Sequence, residues 1–292
     1  MRRFYLTNKQ GQTLDLLNNR ARFILSGAEG LHGVETEISE SDTPYVDGVA
    51  IDNVKALPRG IELVFTLRGN IKNSIDYFTS FVKSKQTVTL REIEGERDIV
   101  IEGVATIPPY TRMLQTCKLT LTVYCGQPYW EDLNYFVETI SNTIDLLYFP
   151  EEGQYFTATG RPFGVIDTSL TKTFTNKSDT TVGMVIRLVA LGEVVNPRIV
   201  CGSGEQVGWY MQLNLTMQAD EELEICTIKG QKSITINGLT EYNGEPIMNA
   251  LEWQGLDWLQ LETGVNTFSV TTDGGGTNSN LHFNIIYKGR YE

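Results

Sequence analysis

The sequence predicts a mainly β protein in two domains: an N-terminal β-rich domain with one helix, then a C-terminal β-sandwich. Three observations predict it. At 292 residues the chain exceeds one ordinary hydrophobic core. Apolar residues alternate through most of it, whereas a helical period occurs once. Charge divides the chain: residues 1–130 hold 15 basic and 15 acidic side chains, net zero, and 131–292 hold 9 and 21, net −12. The expected domains are therefore 1–130 and 131–292.

The first element is a hairpin, RFYLTNKQGQTLDLL, with Phe4 and Leu6 on one arm, Leu14 and Leu16 on the other, and a turn at Asn8 to Gly11. IELVFTL places Ile61, Leu63, Phe65 and Leu67 on one face. In NIKNSIDYFTSFVKSK, Ile71, Ile75, Phe78 and Val82 fall at helical spacing, with Lys83 and Lys85 at the end that favours cations. This predicts an amphipathic helix over about 71–84 resting on a sheet. TVTLREIEGERDIVI reads as a second hairpin, turning at Glu94-Gly95-Glu96, and CKLTLTVYC closes the half.

After Pro128 the spacing predicts strands at 182–191, 198–201, 209–217, 223–228, 233–236, 265–271 and 281–288. Short strands at this interval point to an all-β sandwich. The glycine run TTDGGGTNSN, Thr271 to Asn280, has strands on both sides and reads as the turn of the last hairpin, not as a phosphate loop, which needs a helix behind it.

Composition and spacing exclude several function classes. An acidic half and a neutral half with no basic run argue against a sequence-specific nucleic-acid partner. No apolar run reaches the roughly 18 residues that cross a bilayer, and MRRFYLTNKQ lacks the apolar centre of a secretory signal. No membrane partner is expected, and synthesis is expected to end in a cytoplasm.

Cys117 and Cys125 share one face of a strand about 26 Å apart, too far for a disulfide. With Cys201 and Cys226 they read as small buried hydrophobes. His32 and His282 lie in different halves without a nucleophile pattern, and no CxxC or HExxH spacing offers a metal site. CGSGEQVG, Cys201 to Gly208, has GxGxxxG spacing followed by a strand, so its glycines make a turn. No enzyme, cofactor or metal is expected.

The order of elements is more telling than any site. NPRIVCGSGEQVGWYMQLNLTMQADEELEICTIKGQKSITING, then LETGVNTFSVTTDGG and LHFNIIYKGRYE, resembles the C-terminal domain of the distal tail proteins of long-tailed, siphovirus-type bacteriophages and related phage-tail-like particles. FYLTNKQGQTLDLLNN, the Gly-rich loop ILSGAEGLHG and a helix between hairpins resemble the N-terminal domain of the same family. The resemblance implies a ring-forming N-terminal domain followed by a galectin-like or carbohydrate-module-like sandwich. It further implies a homohexameric ring at the virion tail tip or baseplate, assembled in the host bacterial cytoplasm. Its implied partners are further copies of itself, the tail tube protein, a tail-associated hub or lysin protein, and a receptor-binding protein or host surface glycan.

The alternative function is glycan binding through the sandwich. Asn196-Pro197-Arg198 matches the NPR of the galectin sugar site, and Trp130, Trp209, Trp253 and Trp258 are candidate stacking faces. The histidine that galectins place two residues before the Asn is Val194 here, and their Trp-Gly-x-Glu is missing. Asn196, Arg198 and Trp209 are the candidate glycan contacts. Trp253 and Trp258, lying among leucines, are expected to fill the sandwich.

Overall fold

A computed structural model describes residues 2–18, 23–42, 47–67, 70–108, 118–140, 143–145, 164–166, 171–273 and 281–292. The chain forms two compact units, Met1–Leu133 with Arg290–Glu292, and Asn134–Gly289.

The first unit runs β1 (Arg3–Thr7), β2 (Thr13–Asp15), β3 (Phe23–Glu29), β4 (Thr36–Asp42), β5 (Val49–Ala56), β6 (Arg59–Leu67), α1 (Ile71–Phe81), β7 (Thr87–Glu94), β8 (Arg97–Thr106), β9 (Lys118–Cys125) and β10 (Trp130–Asp132). Its main sheet has the order β2-β1-β7-β8-β9-β6-β3. The predicted alternation is realised: Ile61, Leu63 and Phe65 are fully buried, and opposite them α1 contributes Ile75, Phe78 and Phe81, with the Phe65 and Phe78 rings 5.1 Å apart. A helix on one face of an antiparallel sheet closes this core.

Asn70 caps α1 by accepting from the Asn73 N–H. The helix stops three residues short of the expected 84. Val82 is fully buried in extended backbone, and Lys85, at φ 69°, donates its N–H to the Ala105 carbonyl. The chain thus leaves the helix to join strand pairing, and Lys83 and Lys85 lie beyond its last turn. The expected Gly-rich loop is instead largely strand: Phe23–Glu29 form β3, which pairs with β6 through a register shift between Leu25 and Gly27, and only from Gly30 does the chain leave the sheet. Strands β4 and β5 pair only with each other, forming a two-stranded arm exposed along almost its whole length.

The second unit comprises β11 (Phe136–Ile140), β12 (Thr143–Asp145), β13 (Gly164–Ile166), β14 (Thr171–Asn176), β15 (Met184–Ala190), β16 (Val194–Cys201), β17 (Tyr210–Leu213), β18 (Thr216–Met217), β19 (Glu222–Cys226), β20 (Ser233–Ile236), β21 (Glu241–Tyr242), β22 (Glu245–Pro246), a 3-10 turn (Ile247–Ala250), β23 (Leu251–Gln254), β24 (Gly264–Asp273) and β25 (Leu281–Tyr287). Its two principal sheets have the orders β11-β25-β15-β19-β20 and β14-β24-β16-β17-β23. Both feed one core that includes Ile186, Leu188, Ile199, Met211, Phe268 and Phe283. This is the predicted sandwich, and the molecule is mainly β with a single α-helix among the described residues.

The expected last hairpin is not formed. β24 and β25 belong to different sheets of the sandwich, and Gly274 to Asn280 fall outside the described residues. Alternation looks the same for strands paired edge to edge and strands facing across a core. The final strand, β26 (Arg290–Tyr291), returns to the first unit and pairs with β10. There Tyr291 donates its hydroxyl to Asp132, 3.0 Å to Oδ2, and Arg290 contacts Glu131 at 3.1 Å.

Candidate functional site

Arg198 projects from β16 on the outward face of the sandwich, where its strand neighbours are Gln212 and Thr271. Its guanidinium lies 3.7 Å from the centre of the Tyr210 ring. Tyr210 donates its hydroxyl to Glu252 at 2.9 Å, and that hydrogen bond to a carboxylate pushes the phenol above its ordinary pKa. Asn214 extends the row, accepting from Gln212 at 2.7 Å and reaching Glu252 at 3.4 Å. Beside it opens a cleft of about 340 Å³ lined by Asn214, Tyr242, Glu245, Pro246, Asn249 and Ala250.

The other two candidate glycan contacts are placed differently. Asn196 occupies a positive φ of 48° at the irregular register between Val195 and Arg198, and its amide donates to Asp273 at 3.0 Å. Trp209 has the parity of buried Met211, so it lies across its strand from Tyr210 and packs half-buried against the core. Its ring fills the space beside Gly255, where a Cβ would come within 2.5 Å of it. The structure therefore gathers Arg198 with Tyr210, Gln212 and Glu252, residues that only the sheet register reveals. It turns Trp209 to the other side of its strand.

Among the other tryptophans, Trp258 is buried as expected and Trp253 is 49% exposed, while Trp130, a candidate stacking face in the sequence, is instead fully buried in the core of the first unit. It sits on the edge strand β23, where no further strand covers it.

The glycine loop Cys201 to Gly208 does have the converging backbone donors of an anion nest, and the protein's own carboxylate occupies it. Glu262 accepts from the N–H groups of Glu205 and Gln206, at 3.0 and 3.1 Å. A Cβ on Gly204 would lie 1.9 Å from the same carboxylate. Elsewhere, His32 contacts Arg2 at 3.0 Å, and His282 stands in β25 opposite Val189. Among the described residues no group of three His, Cys, Asp or Glu side chains is arranged to hold a metal, and no helix is long and apolar enough to cross a membrane. Cys125, Cys201 and Cys226 are buried and free, while Cys117 lies outside the described residues.

What the second unit presents is a β-sandwich of specific strand order. Residues 177–291 match the siphovirus-type tail component, C-terminal domain. The match falls on the second unit from Lys177 onward and reaches Tyr291 in the first. The resemblance to distal tail proteins read from the sequence is thereby upheld. The fold likeness extends beyond the tail domain. The crystal structure of the Dit protein of phage SPP1, described as a paradigm of the hub adsorption apparatus in phages infecting Gram-positive bacteria, covers 99% of this chain and 99% of its own, at 16% identity and a TM-score of 0.63. Chains of the phage P2 baseplate in its activated conformation are more distant: with Ca, 10% identity, 100% and 98% coverage and TM-score 0.45; with Sr, 10%, 98% and 98%, and 0.43. No curated protein matches the sequence.

Proposed function

We propose that this chain is a structural subunit of a phage-type tail, six copies of which close into a ring at the tail tip. The ring joins the tail tube protein to the tip or baseplate and serves as a hub for a tail-associated lysin and for host-attachment proteins. The observation that carries this reading is the tail-component match of residues 177–291, supported by a fold likeness to a hub protein that spans 99% of the chain. The proposed boundary of labour falls near residue 130, with the first unit forming the ring. The chain acts by assembly and not by turnover.

Sedimentation velocity of the purified chain, alone and with tail tube and hub proteins from the same source, tests the reading. A hexamer is expected; a monomer at every concentration and with every partner refutes it.

A second reading is favoured by one specific arrangement, the outward row of Arg198, Tyr210, Gln212 and Glu252 leading to the Asn214 cleft. Guanidinium, carboxylate and carboxamide groups on one face are the donors and acceptors that sugar hydroxyls use. We propose glycan contact there as an added property, with Asn196 at its edge and without Trp209, whose ring packs against the core. Binding of host cell-wall polysaccharide that Arg198→Ala abolishes supports it; binding unchanged in that variant removes this surface from consideration.

A further inference from the structure

The β4–β5 arm is amphipathic, and its own chain leaves the apolar side bare. Residues opposite each other in register share a face, so Ile38 with Val54, Glu40 with Ile51, and Asp42 with Val49 project to one side. Asp52 is the extra residue at the register shift between Ser39 and Glu40. Without that bulge Val54 would stand on the side opposite Ile51. The bulge therefore collects Ile38, Val49, Ile51 and Val54 on one face, where each is 50 to 63% exposed. A lone two-stranded hairpin is marginal in water, and a bare apolar face on one calls for a cover.

Charge indicates what the cover is. Residues 36–56 hold five carboxylates and one lysine, net −4, whereas the remainder of the first unit (1–35, 57–133 and 290–292) holds 15 basic and 13 acidic side chains, net +2. An apolar surface with unpaired cations exists on that remainder. Val104 and Tyr124 are cross-strand partners on the side of the sheet turned away from the core, 43% and 56% exposed. Lys85 is hydrogen-bonded through its backbone to Ala105, which brings exposed Lys83 and Lys85 to the same end of the sheet. Neither lysine has an ion-pair partner among the described residues.

We infer that the apolar face of the arm of one copy docks on the Val104–Tyr124 surface of a second copy, with Glu40 and Asp42 meeting Lys83 and Lys85. The inference rests on the ring reading above and names its contact. Each copy offers one acidic arm and one basic acceptor, a head-to-tail relation that closes into a ring when the rotation permits.

The test is a charge exchange followed by sedimentation. Glu40→Lys with Asp42→Lys, or Lys83→Glu with Lys85→Glu, should raise the protein concentration needed for assembly roughly tenfold or more. The variant carrying all four changes should recover assembly, because the signs match again. Ile51→Asp, a single exposed position, should weaken assembly without altering the circular dichroism spectrum. Assembly of the arm variants at the wild-type concentration, or a folded four-fold variant that stays monomeric, overturns the arm assignment while leaving the ring reading intact. A wild-type chain that never assembles overturns the ring reading itself.

Discussion

In the second unit, loops at one end of the sandwich are tied down by the protein's own side chains. Glu262 fills the Gly204 turn, Asn266 accepts from the Glu262 N–H and donates back to its carbonyl, and Gln260 donates to the Thr227 carbonyl while its own N–H meets Gln206. In the first unit, by contrast, a whole hairpin projects with four large aliphatic side chains in the open. Both units bury an apolar core, so the difference lies at their surfaces. These loops of the second unit satisfy their polar groups from within, whereas the hairpin of the first unit leaves apolar side chains uncovered by its own chain.

The largest expected effect tests whether the two cores are energetically separate. Phe65 and Phe268 are each fully buried, one per core. Truncation of either to Ala should cost about 3–5 kcal/mol. Calorimetry should show Phe65→Ala lowering one unfolding transition and Phe268→Ala another; a single transition lowered equally by both would mean that the units fold as one.

The next effect asks which unit owns the chain's end. Tyr291 is 6% exposed, donates to Asp132 and has the Arg97 guanidinium 4.4 Å from its ring centre. Tyr291→Ala should destabilise by about 3 kcal/mol, and the loss should appear in the transition sensitive to Phe65→Ala, although residue 291 follows the second unit in sequence. Its appearance with Phe268→Ala would contradict the return of β26.

How much of this was legible follows from what alternation encodes. It revealed β6, β9, β15 and β25 because each has one wet and one dry face, and it revealed α1 because Ile71, Ile75 and Phe78 repeat at helical spacing. It was silent on the arm, where every described residue of β4 is exposed and no face is dry. It could not say that β24 and β25 lie in opposing sheets, or that β26 leaves the sandwich, because pairing is a long-range choice that a strand's own residues do not record. The candidate surface was half legible. Arg198 was visible in NPR, but Tyr210 and Glu252 join it only through register, and Trp209, just before β17, packs against the core with Met211.

A smaller effect concerns the tied loop. Glu262→Ala should strand the N–H groups of Glu205 and Gln206 and cost about 1–3 kcal/mol. Thermal melts should place the loss in the second unit alone, and Glu262→Gln, which keeps an acceptor oxygen, should recover part of it.

The smallest effect separates the units by pH. Burial pushes the Cys125 thiol up from 9.0 to about 11, although the nearby Arg59 charge acts in the opposite direction. A group whose folded pKa is raised adds stability that is complete below its unfolded value and is lost as pH rises through the folded one. The first unit should therefore hold its melting temperature up to about pH 9 and lose a part of it between 9 and 11 that Cys125→Ser or Cys125→Ala does not lose. Burial also lowers the pKa of Arg59, whose Nη1 donates to the Leu31 carbonyl at 2.6 Å beside the Trp130 indole, so the positive charge nearest the thiol is itself costly to keep. Deprotonation of Cys125 thus sets a new anion in the core against a cation already there. A loss in the wild type no greater than in the Cys125 variants would mean that Arg59 stabilises the thiolate as much as burial opposes it.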